Sequence, residues 1–168
     1  MAVTMADIQH LRKMTGAGMM DCKNALNEAN GDFDKAVEII RKKGQAVAAK
    51  REDREASEGC VLAKTEGNYA AIVALKCETD FVAKNEEFIS LTQQILDAAV
   101  EHKPESMEAL LEVELSGGTV SQLIMDRIGA TGEKMELGDF QFITAPHVVS
   151  YIHMGNKLAT IVGFNKES

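Results

Sequence analysis

Apolar side chains recur with the period of an α-helix over the first 44 residues, in three short runs. Spacings of three and four residues place each run on one face of a helix. Residues 15–18 and the pair Asn30 and Gly31 break the pattern between runs. Gly44 is expected to end the third helix, since glycine is common just past a helix end. The runs predict a three-helix bundle with the apolar positions Ile8, Leu11, Met14, Cys22, Ala25, Leu26, Ala29, Phe33, Ala36, Val37 and Ile40.

Residues 46–58 are small or charged and have little apolar periodicity, so they are interpreted as a linker. Whether this linker is partly helical is left open. The period changes from Gly59 onward. Residues 60–64 and 69–75 are short apolar runs on either side of Thr-Glu-Gly-Asn, which predicts a β-hairpin.

A long amphipathic helix is predicted after the hairpin, with Asn85 as its N-cap and Phe88, Leu91 and Ile95 on its apolar face. Residues 106–115 form a weaker helical stretch, and Thr119 begins a capping box before another helix. Residues 140–142, 148–152 and 158–164 again have strand character, with a turn at 154–156. This order predicts an α+β fold with an antiparallel sheet covered by helices. The expected division is a bundle at 1–45, a linker at 46–58 and an α+β domain at 59–168.

Charge is unevenly distributed along the chain. Residues 1–50 carry 8 basic and 6 acidic side chains, whereas the remainder carries 10 and 20, so the net charge of −8 is the sum of +2 in the first part and −10 in the second. Such an excess of acid disfavours direct binding of nucleic acid, whose phosphates require clustered Lys and Arg. No stretch is apolar for long enough to predict a membrane span. The odd number of cysteines, three in all, fits a reducing cytoplasm.

The sequence lacks the residue patterns of common catalytic and cofactor sites. No phosphate-loop motif occurs, and Gly16 and Gly18 follow a helix instead of a strand, so they are interpreted as an interhelical turn. The four histidines are scattered, which argues against a metal site. We therefore expect no metal, no cofactor and no enzymatic chemistry.

Two segments depart from the local rules and are the candidate functional residues. Met19 and Met20 are adjacent at a helix start, and a thin bundle can hardly bury both, so at least one is expected to contact a partner. The alternative is that one is core and the other covers a gap. Asp80 and Phe81 lie at the junction of a strand and a helix. The alternative there is that Asp80 caps a turn while Phe81 packs inward.

Both segments resemble the signature stretches of the elongation factor Ts (EF-Ts) family. Residues 15–23, Thr-Gly-Ala-Gly-Met-Met-Asp-Cys-Lys, are similar to the first, and residues 79–84, Thr-Asp-Phe-Val-Ala-Lys, are similar to the second. Further similar stretches follow in the same order along nearly the whole chain. The resemblance implies a bundle of the ubiquitin-associated (UBA) type followed by the first of two related α+β subdomains, and so a truncated chain or a fragment of a longer one.

The resemblance also implies a partner, the translation GTPase EF-Tu, bound to GDP or free of nucleotide. It places Asp80 and Phe81 as a wedge that disturbs the Mg²⁺ and phosphate site of EF-Tu, with Val82 beside them. Residues 130–143 depart from the family pattern, so the resemblance assigns no contacts to them. The implied EF-Tu-binding residues are Leu11, Arg12, Met19, Met20, Lys23, Asp80, Phe81, Val82, Ile128, Gly129 and His153.

The expected function is guanine nucleotide exchange on EF-Tu during polypeptide elongation, by protein binding and without catalysis of a covalent step. The alternative is a UBA-like interaction adaptor that has no exchange activity, because UBA-type bundles are interaction modules and a fold does not determine a function. The second signature stretch and the α+β domain behind it argue against the adaptor.

Overall fold

Three helices form the N-terminal bundle. The computed structural model describes residues 2–153 and 158–164 of the chain, with the side chains of 2–152 and 158–163. The helices are α1 (Met5–Thr15), α2 (Met19–Glu28) and α3 (Phe33–Lys50). Thr4 and Asp7 form the capping box of α1, and the Asp32 carboxylate accepts the Lys35 amide at the start of α3. The predicted bundle is therefore confirmed.

The prediction that Gly44 ends the third helix is wrong, because α3 continues to Lys50. Gly44 is buried where α3 crosses a later helix, and a side chain there would collide with the carbonyl of Met125. On that later helix, a Cβ on Gly129 would lie 3.1 Å from the Gly44 Cα. Glycine at these two positions allows two helix backbones to approach closely.

The second part of the chain is a sheet packed against helices. β1 (Glu58–Glu66) and β2 (Tyr69–Cys77) form the predicted hairpin, and β5 (Met135–Thr144) pairs with β2, so the antiparallel order is β1-β2-β5. The helix α5 (Glu86–His102) packs on β1 and β2. Shorter elements complete the domain: α4 (Asp80–Ala83), α6 (Met107–Leu111), β3 (Glu114–Leu115), β4 (Gly118–Thr119), α7 (Val120–Thr131), β6 (His147–His153) and β7 (Leu158–Phe164).

The expected fold class, α+β with an antiparallel sheet flanked by helices, is confirmed. The side chains of Phe88, Ile95 and Val73 lie in the main core between α5 and the sheet. Leu11 and Leu26 lie in a separate bundle core. Val47 and Ala48, from the last turns of α3, pack against the main core. The last turns of α3 therefore pack on the α+β domain, and the non-helical residues 51–57 connect this helix to β1. Within the described part of the chain, no helix combines the length and apolarity needed to cross a membrane.

Candidate functional site

Phe81 projects into solvent from α4. Its side chain is 85 % exposed, so the alternative in which the ring packs inward is excluded. Asp80 occupies the first turn of the same short helix, and its carboxylate lies 3.5 Å from the Lys84 ammonium. Thr79 caps the helix by accepting the Val82 amide. The result is a large ring and a half-exposed carboxylate at neighbouring surface positions.

Hydrogen bonds from distant residues fix the segment that precedes Phe81. The Thr79 amide and hydroxyl donate to the two carboxylate oxygens of Glu133, at 3.0 and 2.7 Å. Glu78 accepts the Lys134 amide at 2.8 Å and lies 3.3 Å from the Arg51 guanidinium. Because both carboxylate oxygens of Glu133 accept hydrogen bonds from Thr79, the backbone before α4 is held in one orientation. Phe81 is thus exposed on a rigid base.

The turn between α1 and α2 presents the two adjacent methionines. Met20 is 65 % exposed and Met19 about half as much. Gly16 adopts a positive φ of 70°, which lets the chain leave α1 at this point. The Thr15 hydroxyl donates to the Leu11 carbonyl and accepts the Ala17 amide, so the turn is internally hydrogen-bonded.

The structure corrects two of the proposed contact residues. Leu11 has no exposed surface and belongs to the bundle core, while Ile128 is buried in the main core. Helical periodicity explains both outcomes, because apolar residues at core spacing point inward. Neither side chain can touch a partner in this conformation.

The remaining candidates occupy different settings. Arg12 and Lys23 are exposed, and Val82 is half-buried against the main core. Gly129 lies at the crossing of α3 and α7, beside Gly44. His153 ends β6, and its side chain lies outside the described residues. Partner binding by these residues stays a prediction.

A groove of about 970 Å³ separates the bundle from the α+β domain. One wall is α1, with Arg12 and Lys13, and the other is the start of α5, with Glu86 and Glu87. Arg127 lies at its base and connects the walls: its Nη1 donates to the Gly16 carbonyl at 3.3 Å and to the Glu87 carboxylate at 2.7 Å. The groove is therefore bridged by a buried arginine.

Asp126 is a buried carboxylate next to this bridge. Its side chain is 2 % exposed, and neither oxygen has a hydrogen-bond partner among the described residues. Arg41 Nε lies 3.5 Å from Oδ1, and Arg41 also donates to the Gly117 carbonyl. Burial raises the pKa of Asp126 from 3.8 to about 6, although the Arg41 charge acts in the opposite direction.

The cysteines are not set up as nucleophiles. All three are buried and unpaired. Burial, helped by the nearby Glu133 carboxylate, raises the pKa of Cys77 to about 12, and its thiol donates to the Thr79 carbonyl. Burial also raises the pKa of Cys22 and Cys60. A protonated, buried thiol is inert. The described residues include no group of three or more metal-ligating side chains.

Sequence reasoning missed the residues that orient the two exposed segments. Glu133, Glu78 and Arg127 are charged residues whose partners are distant along the chain. A charge in a single sequence carries no signal of such a partner. A weak indication existed for Arg127, which falls within the apolar pattern of a predicted helix.

Comparison with known proteins decides the family. A family model described as "Elongation factor TS" matches residues 78–168, more than half of the chain. The chain belongs to the elongation factor Ts family. Curated relatives named Elongation factor Ts are 65 % identical in Porphyromonas gingivalis, over 167 residues and 99 % of this chain, and 63 % identical in Phocaeicola vulgatus, over 169 residues and 100 % of it.

The family membership agrees with the resemblance drawn from the two signature stretches. The match covers 61 % of the Porphyromonas gingivalis relative and 51 % of the Phocaeicola vulgatus relative. The chain thus spans between about half and three fifths of the length of the curated relatives it matches.

Proposed function

We propose that this chain acts as a guanine nucleotide exchange factor for EF-Tu in the cytoplasm, by binding and without covalent catalysis. The observation that carries the proposal is the 85 % exposure of Phe81 on a base fixed by Thr79 and Glu133. An exposed ring does not pack within its own domain. Its burial in a partner therefore adds to the binding free energy without any loss of packing in this chain. That burial contributes about 1.5–3 kcal/mol.

The exchange mechanism follows from linkage. GDP and the exchange factor bind the same GTPase, and each weakens the other by the same factor in binding free energy. Phe81 enters an apolar pocket of EF-Tu, while Asp80 competes for polar groups there. Displacement of Mg²⁺ removes the charge that screens the diphosphate, so GDP leaves faster.

The exposed face of the bundle supplies a second contact in this proposal. Met19, Met20, Arg12 and Lys23 dock on the nucleotide-binding domain of EF-Tu. Methionine suits such a contact because its unbranched thioether adapts to the partner's surface. His153 and Gly129 are retained as further EF-Tu contacts on the strength of the family resemblance alone.

The test is release of labelled GDP from EF-Tu in the presence of the chain. Phe81→Ala should reduce the accelerated rate at least about tenfold, the kinetic equivalent of the lost ring burial. Its melting temperature should be unchanged, because the ring makes little contact with its own domain. Phe142→Ala is the matched control, since Phe142 is also a partly exposed aromatic residue but lies on β5.

Two results would contradict the proposal. Phe81→Ala with full exchange activity would remove the ring from the mechanism. Binding of EF-Tu by the wild-type chain without faster GDP release would favour the adaptor function instead.

A further inference from the structure

The two exposed segments are connected through one buried side chain. Arg127 is 10 % exposed, and its Nη1 donates both to the Gly16 carbonyl, three residues before Met19, and to the Glu87 carboxylate in the first turn of α5. Since α4 and α5 are separated by two residues, Glu87 lies close in sequence to Phe81. A single guanidinium therefore bridges the turn that presents the methionines and the junction that presents the ring.

The local backbone is adapted to this bridge. A Cβ on Gly16 would lie 2.6 Å from Arg127 Nη1, and the φ of Gly16 is positive. Any other residue at this position would be strained and would displace the guanidinium. The Glu87 bond joins a full positive and a full negative charge, which makes it stronger than a neutral hydrogen bond.

Arg127 is also the residue type suited to the task. Its planar guanidinium can donate in two directions at once from a fixed position, which a flexible lysine ammonium does less well. The neighbouring contact of Arg41 with Asp126 and with the Gly117 carbonyl acts between α3 and the α7 region, and so holds a different part of the bundle. Of these two arginines, Arg127 is the one whose hydrogen bond reaches the Gly16 turn.

We propose that Arg127 is a positioning residue, which holds the Met19–Met20 turn and the Phe81 junction at a fixed separation so that both engage one partner together. This inference rests on the proposed function, because it assumes that EF-Tu contacts both segments. Two contacts on a rigid body bind without a further ordering cost, whereas a mobile second contact must be ordered on binding.

The experiment combines a distance measurement with exchange kinetics. Spin labels are attached through Asn24→Cys in α2 and Ser90→Cys in α5, both exposed positions, while the native thiols are buried. The distance distribution should be narrow in the otherwise unaltered chain and clearly broader with Arg127→Gln. Lys64→Gln is the matched control: it removes the 3.1 Å ion pair with Asp97 between β1 and α5 and leaves the bundle untouched.

Exchange is measured with the unlabelled variants. The concentration of Arg127→Gln that gives half-maximal GDP release should rise about tenfold, while the maximal rate stays within about twofold of wild type, because Asp80 and Phe81 are intact. A residue that merely stabilises the fold would lower the active fraction without changing the half-maximal concentration of folded molecules. Should Arg127→Gln fail to fold, Glu87→Gln gives the same readouts, since Glu87 is 61 % exposed and lies outside both cores.

Three results would overturn the inference, and they are distinguishable. An unchanged distance distribution would show that Arg127 does not fix the separation. A broader distribution with an unchanged half-maximal concentration would show that the separation is irrelevant to binding. A wild-type chain that does not accelerate GDP release would refute the proposed function itself, and the positioning role with it.

Discussion

Among the carboxylates of the described residues, that of Asp126 has the most strongly shifted pKa. This shift makes the free energy of unfolding depend on pH. The pKa of Asp126 rises from 3.8 to about 6, mainly through burial. The folded state then binds the proton more tightly than the unfolded state does. The free energy of unfolding contributed by Asp126 therefore falls as the pH increases through this window, and is constant above it.

Asp126→Asn removes this titration while keeping the shape of the side chain. We expect the wild-type free energy of unfolding, minus that of the variant, to fall by up to about 3 kcal/mol between about pH 4 and pH 7. Urea denaturation of both proteins across this range measures the difference, and the other titrating groups cancel in the comparison. A difference that is flat with pH would show that Arg41 fully compensates the buried charge.

At the residue scale, Phe81 and Met20 are exposed, whereas Leu11 and Ile128, which the resemblance assigned to a partner contact, are buried. Contact of Phe81 and Met20 with a partner stays a prediction. The first two break the local pattern, whereas the last two conform to it, and both proved to be core. The contact role of Leu11 and Ile128 came from family resemblance alone. Periodicity was the better guide to burial in both cases.

The crossing of α3 and α7 decides how the bundle meets the α+β domain. Gly44→Ala should improve intrinsic helix propensity by about 1 kcal/mol. The new methyl group would nevertheless collide with the Met125 carbonyl, so the net effect should be a loss of about 1–3 kcal/mol in the free energy of unfolding.

Denaturant titration measures this loss, and Gln45→Ala is its control, because Gln45 is an exposed neighbour in the same helix. If Gly44→Ala were as stable as the control, the helices would have room to separate, and the close crossing would not be needed.

At the element scale, glycine is an ambiguous signal. Gly44 was interpreted as a helix end, yet it serves a close helix contact inside α3. A single sequence cannot separate these uses, because both require the absence of a side chain. The start of β5 was missed for a related reason. Met135 and Leu137 alternate inward, but a register shift around Gly138 moves the next buried residue to Phe140 and breaks the period of two.

The whole molecule should behave as one cooperative unit. The bundle core and the main core are distinct clusters, but α3 belongs to the first and packs its last turns, at Val47 and Ala48, on the second. The apolar pattern of the chain predicts two domains with a linker at 46–58, and those boundaries stay a prediction. Because α3 packs in both cores, we expect the two parts to unfold together.

Native-state hydrogen exchange tests this cooperativity. The most protected amides of the bundle, such as Leu26, and of the main core, such as Ile95, should give opening free energies within about 1 kcal/mol of each other. In Gly44→Ala the bundle amides should lose more protection than those of the main core. Much weaker protection of the bundle in the wild-type chain would mean that it opens independently.

The continuity of α3 also determines where deformation can occur when another molecule docks on both exposed segments. Tilting the bundle would strain both the Arg127 bridge and an 18-residue helix that packs in both cores. Interiors packed in this way resist compression and transmit strain instead of absorbing it. We therefore expect the docking molecule to change its conformation to reach a tight fit, while this chain keeps its own shape.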